Sequence, residues 1–152
     1  MLTQYGVIPV RPAADGGVEV LLITSRETRR WVVPRGNPIL GKSPAESAAQ
    51  EAFEEAGISL ERDYLALKTM TFVPTYHFKA RQDWDENLFV IPLYYFAVDV
   101  TDFDIRLSAE HSEYLWADYP TAQQLLHWDS DKTALWELDQ FLLYSTRKNP
   151  AI

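Results

Sequence analysis

Three glutamates, Glu51, Glu54 and Glu55, stand close together in the first third of the chain. On a helix, positions i, i+3 and i+4 are surface neighbours, so their carboxylates share one patch. Like charges at that spacing cost a helix about 0.2–0.5 kcal/mol per pair. A well-solvated face tolerates this without further consequence. In a cleft, the repulsion must be relieved by protonation or by cations. Hard divalent ions such as Mg2+ take carboxylate oxygens as ligands in this kind of arrangement. Taken alone, the spacing reads as a solvated face, and the segments around it must decide.

The elements that position the glutamates are legible. Ser43-Pro44-Ala45-Glu46 is a helix start: Ser43 caps, Pro44 fits the first helical position, and Glu46 completes a capping box. The helix is predicted over Pro44 to Ala56 and ends at Gly57. Ala45, Ala48, Ala49, Ala52, Phe53 and Ala56 recur at helical spacing and form its expected apolar face. Before it, Val7 to Val10 and Val18 to Thr24 read as a hairpin around the Asp15-Gly16-Gly17 turn, and Trp31-Val32-Val33 as a short strand. Arg35 to Lys42 is a loop. After it, Leu65 to Val73, Asn87 to Val100 and Glu113 to Ala117 read as strands, with Pro92 marking a bulge or an edge. The aromatic, polar stretch Pro74 to Glu86 is placed to overhang a site. A short helix begins near Pro120. A longer one covers Lys132 to Ser145, with Leu135, Leu138, Phe141 and Leu142 on its buried face. The expected architecture is α/β with a mixed sheet, in one domain spanning residues 1–152.

The loop and helix together resemble the Nudix box: glycine, five residues, glutamate, seven residues, then Arg-Glu-apolar-x-Glu-Glu-x-Gly-apolar. Gly36, Glu51, Ala52, Glu54, Glu55, Gly57 and Ile58 occupy the matching positions. Two residues depart from the pattern. Lys42 replaces the first glutamate, and Gln50 replaces the arginine that braces the helix glutamates. Gln50 can hydrogen-bond a carboxylate but brings no charge. Pro34-Arg35-Gly36 and Gly41-Lys42-Ser43-Pro44 are similar to a variant of the box near the diphosphoinositol and diadenosine polyphosphate hydrolases. Glu110-His111-Ser112-Glu113-Tyr114-Leu115-Trp116 resembles the Glu-His-x-x-Tyr-x-Trp segment of diadenosine tetraphosphate hydrolases and dihydroneopterin triphosphate pyrophosphatases.

The resemblance implies an α/β/α sandwich and a Mg2+-dependent hydrolase of phosphoanhydrides, with Mn2+ as a possible substitute. The metal ligands would be Gly36 through its carbonyl, Glu51, Glu54, Glu55 and the distal Glu110, with Glu113 as the alternative to Glu110. Catalysis falls to Glu51, Glu54 and Glu55, and either Glu54 or Glu51 is the general base. Arg35 and Lys42 are placed to hold phosphates. Tyr76, Tyr94 and Tyr114 are the candidates for stacking on a base. Of the substrates implied, diadenosine polyphosphates rank first, ahead of nucleoside or dihydroneopterin triphosphates. A nucleotide sensor that does not cleave is the rival reading, motivated by Lys42 and Gln50. The intact set of Glu51, Glu54 and Glu55 argues for turnover.

Composition narrows the partners. A net charge of −8 matches neither a nucleic-acid backbone nor an anionic membrane. Yet from Arg26 to Lys42 the chain carries Arg26, Arg29, Arg30, Arg35 and Lys42 against one acid, Glu27, so a phosphorylated small molecule has cations to meet. No apolar run is long enough to span a membrane. The first residues lack the pattern of a signal peptide, and the absence of cysteine removes disulfides and thiolate chemistry. These features fit a reducing cytoplasm. His77, His111 and His127 are too scattered to suggest a histidine metal site, and His111 reads as structural, beside Glu110. The tryptophans read as packing residues, and the chain as a monomer or homodimer.

Overall fold

A computed structural model describes residues 2–36, 42–101, 104–109 and 111–148. The strands are β1 (Gln4–Pro12), β2 (Val18–Ser25), β3 (Trp31–Val32), β4 (Tyr64–Pro74), β5 (Val90–Asp99) and β6 (His111–Ala117). The helices are α1 (Pro44–Ala56), α2 (Tyr119–Leu125) and α3 (Asp129–Lys148). One mixed sheet runs in the order β3-β2-β1-β5-β4, with β6 also paired to β2. β1 and β5 are parallel, and the other pairs are antiparallel.

Side chains alternate across the sheet, as a period of two requires. Tyr5, Val7, Leu21, Ile23, Phe96 and Val98 pack on one face against Ala48, Ala52 and Ala56 of α1. Ile8, Val20, Leu22, Leu93 and Tyr95 pack on the other against α2 and α3. The result is the expected α/β/α sandwich.

The start of α1 follows its sequence signals. The Ser43 hydroxyl accepts from the Glu46 amide at 3.2 Å and donates to the Glu46 carboxylate at 2.8 Å. Gly57 ends the helix at φ 76°, a left-handed conformation suited to glycine, and its amide donates to the Phe53 carbonyl.

Three expectations need correction. Ala45 and Phe53 do not lie on the packed face, because α1 is rotated to bury a neighbouring stripe instead; Phe53 is 49% exposed. Phe141 points outward, since α3 packs through Ala134, Leu135 and Leu138 with Leu142 at their margin. Leu88 and Phe89 precede β5, because the Leu88 amide closes a turn onto the Asp85 carbonyl. Pro92 lies where β5 is locally an edge, as expected: it pairs with Phe72 of β4, one residue before the β1 register begins at Leu93. The irregularity of this strand pair lies further along, in β4 between Ala66 and Met70, opposite Tyr95. There the Glu137 carboxylate accepts the amides of Lys68 and Thr69 at 2.7 and 2.8 Å and the Thr69 hydroxyl at 2.6 Å.

Candidate active site

The segment after β3 builds the site. The Val7 amide donates to the Pro34 carbonyl, and Arg35 bridges to Gly6 of β1. Arg35 and Gly36 are adjacent but serve opposite faces of the sheet. Gly36 meets α1, whereas Arg35 meets the residues that follow α2.

On the α1 face, a polar stripe runs inward at i, i+4 and i+8: Ser47, Glu51 and Glu55, with the two carboxylates only 4% and 6% exposed. The Glu51 carboxylate lies against Gly36, in the space a side chain at that position would fill. The Gly36 carbonyl accepts from the Gln4 amide at 2.6 Å. Glu55 pairs with Nε2 of His111, whose Nδ1 lies 3.0 Å from the Thr24 carbonyl. Both ring nitrogens therefore face acceptors. Glu54 is exposed and accepts from Gln50 at 2.8 Å, so Gln50 does brace a carboxylate without charge. Beside Glu54 lies an open groove of about 420 Å³ lined in part by Phe53, Arg106 and Ser108.

These residues suit a hard divalent ion by donor chemistry. The set is all oxygen, two of its carboxylates are nearly buried, and the bare Gly36 leaves room for that of Glu51. Among the described residues, however, no three acidic, histidine or cysteine side chains form a ready ligand cluster. Glu54 faces solvent while Glu51 and Glu55 turn inward, and His111 and Gln4 already engage two of the donors. Glu110 lies outside the described residues. Glu113 is exposed on β6.

The opposite face gathers rings and cations around Trp128. Arg30 and Arg35 stand over its indole at 5.6 and 5.7 Å. His127 and His77 approach it edge-on at 4.5 and 6.0 Å, and Tyr76 lies on His77 at 4.3 Å. The His127 amide donates to the Trp31 carbonyl, which sets Trp128 beside β3. Tyr76, 69% exposed, thus joins Arg35 through His77 and Trp128. Tyr94 instead stacks on Tyr5 at 6.0 Å, within the packing on the α1 side. Tyr114 and Lys42 are exposed, and neither is seen in contact with this group.

Sequence reasoning missed Trp128, read as a packing residue, along with Gln4, Thr24 and the part His111 plays beside Glu55. Ser47 was readable as the residue four before Glu51. Trp128 had no signal, because Arg30, Arg35 and His77 reach it from segments distant in sequence.

Residues 4–136 match the NUDIX domain. The chain belongs to the Nudix family. It is 31% identical over 136 residues to the asymmetrical bis(5'-nucleosyl)-tetraphosphatase of Sus scrofa, covering 86% of each protein. A Nudix hydrolase structure from Listeria monocytogenes superposes with a TM-score of 0.83 at 30% identity, over 94% of this chain and 95% of that one. The dihydroneopterin triphosphate pyrophosphohydrolase of E. coli shares the fold with a TM-score of 0.73 at 19% identity, over 93% and 95% of the two chains. With that kinship and its box, this Nudix protein is a pyrophosphohydrolase. Among its described residues, no helix is long and apolar enough to cross a membrane.

Proposed function

We propose that this Nudix protein hydrolyses a dinucleoside polyphosphate, with diadenosine polyphosphates as the first candidates, in a reaction that depends on Mg2+ or Mn2+. The observation that carries the reading is the junction at Arg35 and Gly36. It joins buried carboxylates on one side to a cationic aromatic surface on the other. A base stacks on the Trp128 indole or on Tyr76, and the phosphate chain leaves it past Arg30 and Arg35. Two nucleosides linked by phosphates supply a base and a long anion together, which a short triphosphate supplies less fully. The likeness to the Sus scrofa tetraphosphatase agrees.

Glu51, Glu54 and Glu55 would hold the ion with the Gly36 carbonyl and, as the family pattern implies, Glu110. Bound there, the ion supplies charge neutralisation of phosphate oxygens and acidification of a water. The chain's own residues do the rest. Glu54, open to solvent and oriented by Gln50, takes the proton from the attacking water. Glu51, fixed against Gly36, orients the phosphate side of the site. His111 holds the Glu55 carboxylate in place. Lys42, at the entry to α1, and Tyr114, on β6, border the substrate path. The protein acts as one domain on a small phosphorylated molecule, in the cytoplasm, as a monomer or homodimer.

The test is turnover of a panel with Mg2+: diadenosine tri-, tetra- and pentaphosphate, ATP, dihydroneopterin triphosphate and a diphosphoinositol polyphosphate. Fastest turnover of a diadenosine polyphosphate is the expected result. Rapid turnover of a triphosphate with none of the dinucleotides would overturn the substrate. Tight nucleotide binding with no product from any compound would favour a sensor.

A further inference from the structure

The C-terminal half of α1 and residues 104–108 enclose the open groove beside Glu54, about one turn further along α1 than the contact of Glu51 with Gly36. The second wall is tied to the first. The Arg106 amide donates to the Ala56 carbonyl at 3.0 Å and the Ser108 amide to the Glu55 carbonyl at 3.1 Å, so two carbonyls left open at the end of α1 find partners there. A side chain placed at Gly57 would come within 3.1 Å of the Arg106 Cβ, so the walls meet closely at that residue. Ile105 and Leu107 pack against the core on the α1 side. Asp104, Arg106 and Ser108 line the groove together with Phe53 and Glu54.

Two features of this groove have no explanation in packing. Phe53 leaves half its surface exposed on a helix whose neighbouring stripe is buried. A single exposed ring is ordinary on an open surface. This one stands in a groove of about 420 Å³, within the size range of small-molecule sites. The second feature is Ser108, whose Oγ is buried without a hydrogen-bond partner. That is a costly state for a hydroxyl, and a ligand that supplies the missing bond relieves it. A ring, an unmatched hydroxyl, a carboxylate and a guanidinium are together the parts that recognise a nucleotide. The ring stacks on a base, the hydroxyl and carboxylate bond sugar or base edge, and the cation meets phosphate.

A dinucleoside polyphosphate has a base at each end of its phosphate chain, and the Trp128 face serves one end. Contacts lead from Trp128 to Arg35, from the adjacent Gly36 to Glu51, and one helical turn on to Glu54 and the groove. We infer that the groove is a subsite for the second nucleoside: Phe53 stacks on its base, Ser108 and Asp104 bond its sugar or base edge, and Arg106 meets the phosphate beside it. The reacting carboxylates then lie between the two ends of the substrate. This rests on the reading of a dinucleoside polyphosphate as the substrate.

Diadenosine tetraphosphate and adenosine tetraphosphate differ by one nucleoside, so the pair tests the groove, by calorimetric Kd without added metal and by kcat and KM with Mg2+. The wild type is expected to bind the dinucleotide about tenfold more tightly. Phe53→Ala is expected to remove most of that preference. It should raise Kd and KM for the dinucleotide about tenfold, with kcat within about twofold, and move adenosine tetraphosphate by less than about twofold. Phe53→Leu, which keeps bulk but no ring, replaces Phe53→Ala if that variant does not fold. Ser108→Ala should give the same pattern at about threefold, whereas Trp128→Ala should weaken both compounds. Wild-type affinities within about twofold of each other, binding of neither compound, or equal losses on both in Phe53→Ala overturn the subsite. A preference in binding that depends on Phe53, with no cleavage of the dinucleotide under Mg2+, overturns the hydrolytic reading instead and keeps the subsite.

Discussion

The two faces joined at Arg35 and Gly36 use charge in opposite ways. On the α1 face, carboxylates are buried. Glu51 and Glu55 are nearly inaccessible, held by backbone geometry and by His111, and so pre-set before any substrate arrives. On the Trp128 face, the cations are surface groups. Arg30 is exposed and Arg35 half-buried, and both are aligned by a ring rather than by ion pairs. Fixed buried charge suits a reacting centre, because no reorganisation is needed at the moment of reaction. Exposed charge over an aromatic ring suits capture, because it attracts an anion at little desolvation cost. The difference teaches that one short segment can divide chemistry from recognition, since neighbouring residues of an extended chain face opposite ways.

Substitutions can break this division. The largest effect is expected at Glu54→Gln, which should lower kcat by about 10²-fold or more, as removal of a general base does. Glu55→Gln should lower kcat similarly, with the melting temperature in both variants near that of the wild type. A KM effect alone in either would remove chemistry from the α1 face. Next is Gly36→Ala. Its methyl takes the place of the Glu51 carboxylate, and a displacement of that kind should cost kcat on the order of 10- to 100-fold. Trp128→Ala comes third. It should raise KM about tenfold with kcat nearly constant, the scale of one lost base stack. Gln50→Arg should change kcat by less than about threefold, because the Gln50 amide already holds Glu54; a much larger gain would show the brace to be incomplete.

The smallest effect concerns neither face. Burial pushes the pKa of Glu137 up, but the Thr69 and Lys68 bonds and the Lys68 charge outweigh it, so the carboxyl titrates below its usual range. An acid whose pKa is lower folded than unfolded adds stability above the unfolded value and loses it as pH falls through the folded value. Melting temperature should therefore drop on acidification below the ordinary glutamate range, and Glu137→Gln should shallow that drop while leaving neutral-pH kcat unchanged. An unchanged slope would show that other carboxylates dominate acid unfolding.

Much of the α1 face was readable. The capping box, the Gly57 stop and the glutamate spacing are local features, set by residues close in sequence. What sequence did not give was rotation: which stripe of α1 turns inward is decided by packing against β1, and this is why Glu51 and Glu55 are buried but Phe53 is not. The Trp128 face was largely hidden. Trp128, His77, Arg30 and Arg35 come together only through the β3 bridge to Leu126 and the turns after β4. Pairings of that range leave no periodic trace.

The most direct test of this division is to measure kcat and KM for diadenosine tetraphosphate with Mg2+ in Glu54→Gln and Trp128→Ala side by side. The expected result is a collapse of kcat in the first and a rise in KM at nearly constant kcat in the second. A fall in kcat at unchanged KM for Trp128→Ala, or near-normal kcat for Glu54→Gln, would contradict it.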